Sequence, residues 1–219
     1  DGTSHVAISG VLLNTTIDPT NDIPTGANVT FTSNVAEDDT DPTGESVNSL
    51  CSSVFLDPVD VLTDQGADDF KGIAVATNDA TTAQGVWEYK PNSGSWTPIP
   101  SITASTALFL DKDAELRFVP TTDYNGTVGS LHVYFIDDNG SSTFSTSTGD
   151  VVADASTNGA DKDISTGTYT IGIQTTEVND APTFTGNATI SGTHNEDVAS
   201  TGVTIDTIIG SLFEDDTDG

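Results

Sequence analysis

Apolar and polar positions alternate in short runs along most of this chain. Residues 5–13 (His5-Val6-Ala7-Ile8-Ser9-Gly10-Val11-Leu12-Leu13) and 168–176 both alternate. Between them, further runs predict strands near Val29–Ser33, Gly72–Thr77, Gly85–Lys90, Ser95–Ile99, Ala107–Leu110, Leu116–Val119 and Leu131–Ile136. A two-residue period sends successive side chains to opposite faces of a strand, which suits a sheet with one face buried. Short strands of this kind, separated by turn residues, predict an all-β domain built as a sandwich. Pro91-Asn92-Ser93-Gly94 has turn chemistry between two runs that carry Trp87, Tyr89 and Trp96, so residues 85–97 read as a hairpin with an exposed tip. Trp87 and Trp96 are expected in the core, with a sugar-stacking platform as the alternative. Residues 137–168 break the rhythm. They open on the turn Asp137-Asp138-Asn139-Gly140 and continue rich in Ser, Thr, Gly and Asp. A sandwich needs only about 100 residues, so this is surplus chain, and long loops on rigid β scaffolds often carry binding functions.

A longer period lies over the short one. Asn21-Asp22-Ile23-Pro24-Thr25 returns as Asn179-Asp180-Ala181-Pro182-Thr183, 158 residues later. Asn28-Val29-Thr30 and Glu37-Asp38 follow the first copy; Asn187-Ala188-Thr189 and Glu196-Asp197 follow the second with one residue of slippage. Self-similarity at a fixed period marks an array of modules. Residues 1–20 then read as the end of a preceding β module, 21–180 as one complete enlarged module, and 181–219 as the start of the next. The two flanks are either separate remnants or partners in one sandwich.

Composition strengthens the β assignment. The chain has 27 Asp against 7 Glu, 36 Thr and 18 Val, and no Met. Glu decorates helices, whereas Asp favours turns, and β-branched residues favour strands. The charge of −29, from 34 acidic and 5 basic residues, repels nucleic acid and anionic lipid. Disorder is the competing reading of such a charge, and the branched and aromatic residues spread along every segment argue against it. The lone Cys51 lies in the apolar stretch Leu50–Phe55 and reads as a small core residue, with a reactive thiol as the alternative. No run approaches the ~20 apolar residues of a membrane span. With Asp1 first, the chain reads as a piece of a longer protein.

The acids crowd where modules are expected to meet. Asp22, Glu37-Asp38-Asp39 and Asp41 are expected at one end, Asp137-Asp138, Glu177 and Asn179-Asp180 at the other, continuing into Glu196-Asp197 and Glu214-Asp215-Asp216. Converging carboxylates repel unless a cation joins them. Ca²⁺ takes six to eight oxygens, which short Asp and Asn side chains on loops can supply. Asp22, Glu37, Asp38, Asp137, Asp138, Glu177, Asn179, Asp180, Glu196, Asp197, Asp215 and Asp216 are therefore the candidate calcium ligands. The plain alternative is a set of solvated acids that maintain solubility.

At this point the chain resembles a family. Glu177-Val178-Asn179-Asp180-Ala181-Pro182-Thr183-Phe184 is similar to the calcium-binding linker of cadherins. Phe118-Val119-Pro120-Thr121-Thr122-Asp123-Tyr124-Asn125-Gly126-Thr127 resembles the pattern of bacterial cadherin-like repeats. With Gly72–Val75, Gln84–Tyr89, Leu116–Pro120, Ile136–Asp138 and Ser156–Gly159, these resemble the long modules of giant secreted bacterial adhesins of the repeats-in-toxin (RTX) type. The resemblance implies a cadherin-like or Ig-like β-sandwich with enlarged loops, flanked by partial neighbours and stiffened by Ca²⁺. It also implies an extracellular location, and a role in cell adhesion or biofilm formation through a peptide or glycan on another cell. Asp154, Asn158 and Asp161 in the surplus segment are the candidate ligand-binding residues. The expected partners are that ligand and adjacent modules of the same chain, with no nucleic acid, no direct membrane insertion and a monomeric state. The animal pattern is not fully kept, because the linker reads Asn-Asp-Ala-Pro and the middle Asp-Arg-Glu motif is missing.

The competing functions are a purely structural extender and an appended hydrolase. Asp111-Lys112-Asp113-Ala114-Glu115 lacks a complete calcium loop and reads as an exposed turn. His5, His132 and His194 lie far apart in sequence, no nucleophile and base pair stands out, and chance alone supplies carboxylate pairs in so acidic a chain. The expectation is a protein that is not an enzyme.

Overall fold

The computed structural model describes residues 21–57, 68–156, 163–189, 196–199 and 202–214. Short strands come first, β1 (Val29–Thr30), β2 (Val35–Ala36) and β3 (Glu45–Ser46), followed by a five-residue helix α1 (Val47–Cys51). Next come β4 (Phe70–Asn78), β5 (Gly85–Lys90), β6 (Thr97–Pro98), β7 (Ala107–Asp111), β8 (Glu115–Pro120), β9 (Gly126–Thr127) and β10 (Leu131–Asp137). The chain continues through β11 (Val152–Ala153), β12 (Tyr169–Gly172), β13 (Gln174–Thr176), β14 (Thr183–Phe184), α2 (Ile205–Ile209) and β15 (Phe213–Glu214). Among the described residues the protein is all-β with two short helices. Its sheets have the orders β1-β12-β10-β4-β7-β11, β3-β8-β5-β6, β2-β13-β9 and β14-β15.

The six-stranded and four-stranded sheets share one apolar interior. Ile73 and Val75 of β4, Leu108 and Leu110 of β7, and Leu131, Val133 and Phe135 of β10 cluster with Trp87 and Tyr89 of β5 and Leu116 and Phe118 of β8. Alternation along each strand delivers these residues to one face, as the sequence predicts. Trp87 sits at the centre, with its ring 5.7 Å from Phe31 and 5.4 Å from Phe118. Its indole N–H donates to the Gly129 carbonyl at 2.8 Å, so the buried polar atom is satisfied. Cys51 is fully buried and burial pushes its thiol up to about 12, which fits a packing role.

The hairpin forms as expected: Glu88 pairs with Pro98 and Tyr89 with Thr97. Ser93 takes the left-handed φ of 62° in its tip, where Gly94 N–H returns to the Pro91 carbonyl. Trp96 departs from its expected place in the core. It is only partly buried, and its ring covers the Arg117 guanidinium at 4.3 Å with Lys90 Nζ at 4.9 Å. Arg117 points outward from β8, donating from Nε to Glu88 at 2.8 Å and from Nη1 to Asp41 at 2.6 Å. Cation–π contact and the desolvation of that ion pair explain the position of Trp96 better than hydrophobic burial does.

The surplus segment is a covering layer as well as a loop. Ala74 and Ala76 of β4, Ala107 and Phe109 of β7, and Ile136 of β10 face away from the main core into a second cluster with Ala155 and Ile164, packed by Phe144 and Val151. Strand β11 extends the sheet by pairing with β7, and Ile164 bridges Ile136. The runs Ile73-Ala74-Val75-Ala76 and Ala107-Leu108-Phe109-Leu110 are apolar at every position because both faces of the sheet are covered.

Helix α1 was not predicted. Its composition is poor for a helix and it is a single turn, held by tertiary contacts and by a cap in which Ser46 Oγ accepts from Ser49 N–H at 3.1 Å. Replacement of Ser46 with Ala is expected to cost about 1 kcal/mol, read as a lowered midpoint in urea unfolding. The same device recurs 158 residues on. Thr204 caps α2 by accepting from Thr207 N–H, and Thr183↔Glu214 repeats the antiparallel bridge Thr25↔Leu56. The burial differs: Val47 is 0 % exposed, whereas Ile205 is 73 % exposed. Helix α1 lies against β3 and β4, and no equivalent of β4 covers α2 among the described residues. The expected modules at 1–20 and the proposed pairing of that segment with 181–219 fall outside the described residues.

Candidate metal centres

Among the described residues two groups of carboxylates converge, one near each linker, and the strand order decides which acids meet. From the first linker the chain runs through β1, parallel to β12, and then β2, parallel to β13. This path carries residue 37 across the module to the second linker. Glu37 Oε1 accepts from Val178 N–H at 2.7 Å and Oε2 from the Asn125 amide at 3.0 Å. Glu37 is buried, and with both oxygens engaged it clamps the linker to the loop after β8. Beside it, carboxylate oxygens of Asp38, Asp123 and Asp180 lie within 4.8 Å of one another. Asp123 takes a left-handed φ of 60°, which Asp tolerates better than most residues, and this turns it toward the linker loop. Asp38 and Asp123 are exposed and Asp180 is partly buried.

The second group lies at the end of β10, next to the first linker. Carboxylate oxygens of Asp57, Asp68 and Asp137 lie within 4.8 Å of one another. Asp137 is 1 % exposed. Its Oδ1 accepts from Asn139 N–H at 3.0 Å, while its Oδ2 is buried with no hydrogen-bond partner. Burial raises the Asp137 carboxyl to about 7; hydrogen bonds from Asn139 and Asn21 act against that rise, and the charges of Asp57 and Asp68 add to it. The Asn139 amide ties the group together, donating to Asn21 Oδ1 at 2.8 Å and Asp68 Oδ2 at 3.2 Å. Gly140 fits this turn because a Cβ there would strike the Asp163 carboxylate.

Two oxygens on opposite sides of a calcium ion at about 2.4 Å each are about 4.8 Å apart, so both groups are compact enough for one ion. All donors are oxygens, which suits a hard cation and disfavours zinc or copper. The buried unpartnered oxygen of Asp137 makes the fit stronger at the first linker.

The expected grouping of acids is corrected in its sides. Glu37 and Asp38 stand with Asp180 at the second linker, and Asp137 stands with Asn21 at the first. Asp138 instead accepts from Asp69 N–H at 2.8 Å, Glu177 is exposed, and the Asn179 amide bonds the Asp180 carbonyl. Asp22, Glu196 and Asp197 belong to neither group. Asp215 and Asp216 lie outside the described residues, as do Asn158 and Asp161. Asp154 is exposed and accepts from Ser156 N–H and Oγ at 2.8 and 2.6 Å. Sequence reasoning did not single out Asp57, Asp68 and Asp123, which the structure brings into the two carboxylate groups. Asp57 carried a signal, since Asp215 follows it by the same 158 residues as the linker repeat.

Elsewhere, residues 146–150 and the hairpin tip line a polar cavity of about 270 Å³ with Tyr89 at its base and Ser95, Thr97, Thr146, Ser147 and Asp150 around it. The Tyr89 hydroxyl bonds the Asp150 carboxylate, and burial with that bond raises the phenol above its usual range. His132 of β10, only partly buried, pairs with Asp79 at 2.8 Å. Among the described residues, no helix is long and apolar enough to cross a membrane. Comparison of the chain with protein-family models, curated proteins and solved structures returns no match.

Proposed function

We propose that this protein is a calcium-binding, calcium-stabilised module of a secreted bacterial adhesin of the RTX type, folded as a cadherin-like β-sandwich, and that it binds a peptide or glycan on another cell surface. The observation that carries the calcium reading is the convergence of Asp38, Asp123 and Asp180, with Glu37 clamping the second linker. An ion there joins the linker to the module body and stiffens the junction with the next module. The polar cavity between the hairpin tip and the 146–150 segment supports ligand binding. Its ring of hydroxyls and one carboxylate suits a hydroxyl-rich or amide-rich ligand rather than an apolar one.

A purely structural extender is the second reading. The packing of Phe144, Val151, Ala155 and Ile164 on the outer face of the sheet favours it, because that role accounts for much of the surplus chain without a ligand. One preparation separates the two. An adhesion module is captured by an immobilised peptide or glycan array in millimolar calcium and released by chelator. Thermal stabilisation by calcium with no capture on either array would leave the extender.

A further inference from the structure

The geometry points to a divalent-cation site internal to the module at its first-linker end, held by Asp57, Asp68 and Asp137 with the Asn21 side-chain oxygen beside them. Three carboxylates on separate chain segments meet here: Asp57 follows α1, Asp68 precedes β4, and Asp137 ends β10. Acid clusters on a protein surface are common and relax into water, but this one cannot, because Asp137 is 1 % exposed. Its Oδ2 has no protein donor. A buried carboxylate oxygen is destabilising unless a donor or a cation meets it. The nearby polar groups are mostly acceptors: Asp57, Asp68 and Asn21 Oδ1, the last already oriented by Asn139. The Asn21 amide also bonds the Asp137 carboxyl, yet a pocket walled mostly by acceptors, with one buried carboxylate oxygen left unmet, suits a positive ion.

The ion is of the calcium class. Three carboxylates with their second oxygens, the Asn21 carbonyl and water can reach six to eight oxygens in irregular geometry, which Ca²⁺ accepts. Mg²⁺ demands a near-ideal octahedron and gives up its water reluctantly, and zinc would seek nitrogen or sulfur. Three carboxylates also leave one net negative charge around a divalent ion. Two donors of this site recur in the sequence at the module period, Asn21 as Asn179 and Asp57 as Asp215. Asn21 of the first linker faces the module that follows it, and Asp180 of the second linker faces the module that precedes it. The assignment rests on the calcium reading for the identity of the ion, and is independent of any adhesive role.

The test uses the whole chain, stripped with chelator and titrated with CaCl₂ by calorimetry, with native mass spectrometry counting bound ions. Asp137→Asn and Asp68→Asn are each expected to lose one ion or to weaken one class of sites at least about tenfold, since even outer-shell changes cost about 10–100-fold in metal affinity. The pair Asp38→Asn and Asp180→Asn is expected to leave that class intact. Melting adds a readout that a merely structural Asp would not give. In chelator, Asp137→Asn removes a buried charge and melts at or above the wild type; in calcium it melts below. Unchanged calcium binding by Asp137→Asn, or equal destabilisation with and without calcium, overturns the assignment. If only the Asp38 and Asp180 pair proves silent, the second-linker reading fails while this site stands.

Discussion

Transfer from millimolar calcium to chelator is expected to lower the melting temperature by about 5–11 °C for each site that empties. A ligand that binds only the folded state stabilises it by about 2.7 kcal/mol at a hundredfold excess over Kd. In a protein of this size each kcal/mol shifts the midpoint by about 2–4 °C. Electrostatics gives the same sign: like charges about 4 Å apart repel by about 4 kcal/mol at an effective dielectric near 20. Asp57, Asp68 and Asp137 lie at that scale, and the net charge of −29 offers little local relief. Differential scanning calorimetry in calcium, in magnesium and in chelator checks this. Superimposable melts, together with no metal in the purified protein, would remove the calcium reading.

The second large effect is expected in the core. Trp87→Ala should cost about 3–5 kcal/mol for the lost ring, with about 1 kcal/mol more for the Gly129 carbonyl left without its donor. The corresponding fall in melting temperature is about 8–24 °C. Phe31, just after β1 and held by its N–H to the Gly172 carbonyl, and Phe118 of β8 line the space that opens, so collapse into the cavity is limited. Trp96→Ala is the control. It uncovers Arg117, which keeps Glu88 and Asp41 as partners, so its cost is the cation–π contact, about 1–2 kcal/mol. Equal losses for the two tryptophans in chemical denaturation would contradict this division of roles.

The positions of the strands were legible in the sequence because alternation is a local property. Gly85–Lys90 and the residues around Ile73, Leu108, Phe118 and Val133 become strands whose inward faces follow the two-residue period. Turn chemistry at Pro91–Gly94 was local in the same sense, and so was the burial of Cys51 among apolar neighbours, while the 158-residue repeat shows directly when its two short copies are compared. The short helix α1 was not, since propensity disfavours Val47–Cys51 as a helix and it is held by its cap, by bonds from Val47 and Asn48 N–H to the Ala114 and Lys112 carbonyls, and by packing against β1, β3 and β4.

The sequence by itself determined an acidic, oxygen-rich β protein with a repeated linker, because composition, period and turn residues act over a few positions at a time. Only the tertiary structure decided which acids meet. Parallel pairing of β2 with β13 moves Glu37 and Asp38 to the far linker, and the end of β10 brings Asp137 to Asn21, Asp57 and Asp68. Alternation states which face a side chain takes; it is silent on which strand lies beside it. A cation site is a meeting of distant segments, so its membership is fixed by strand order and register.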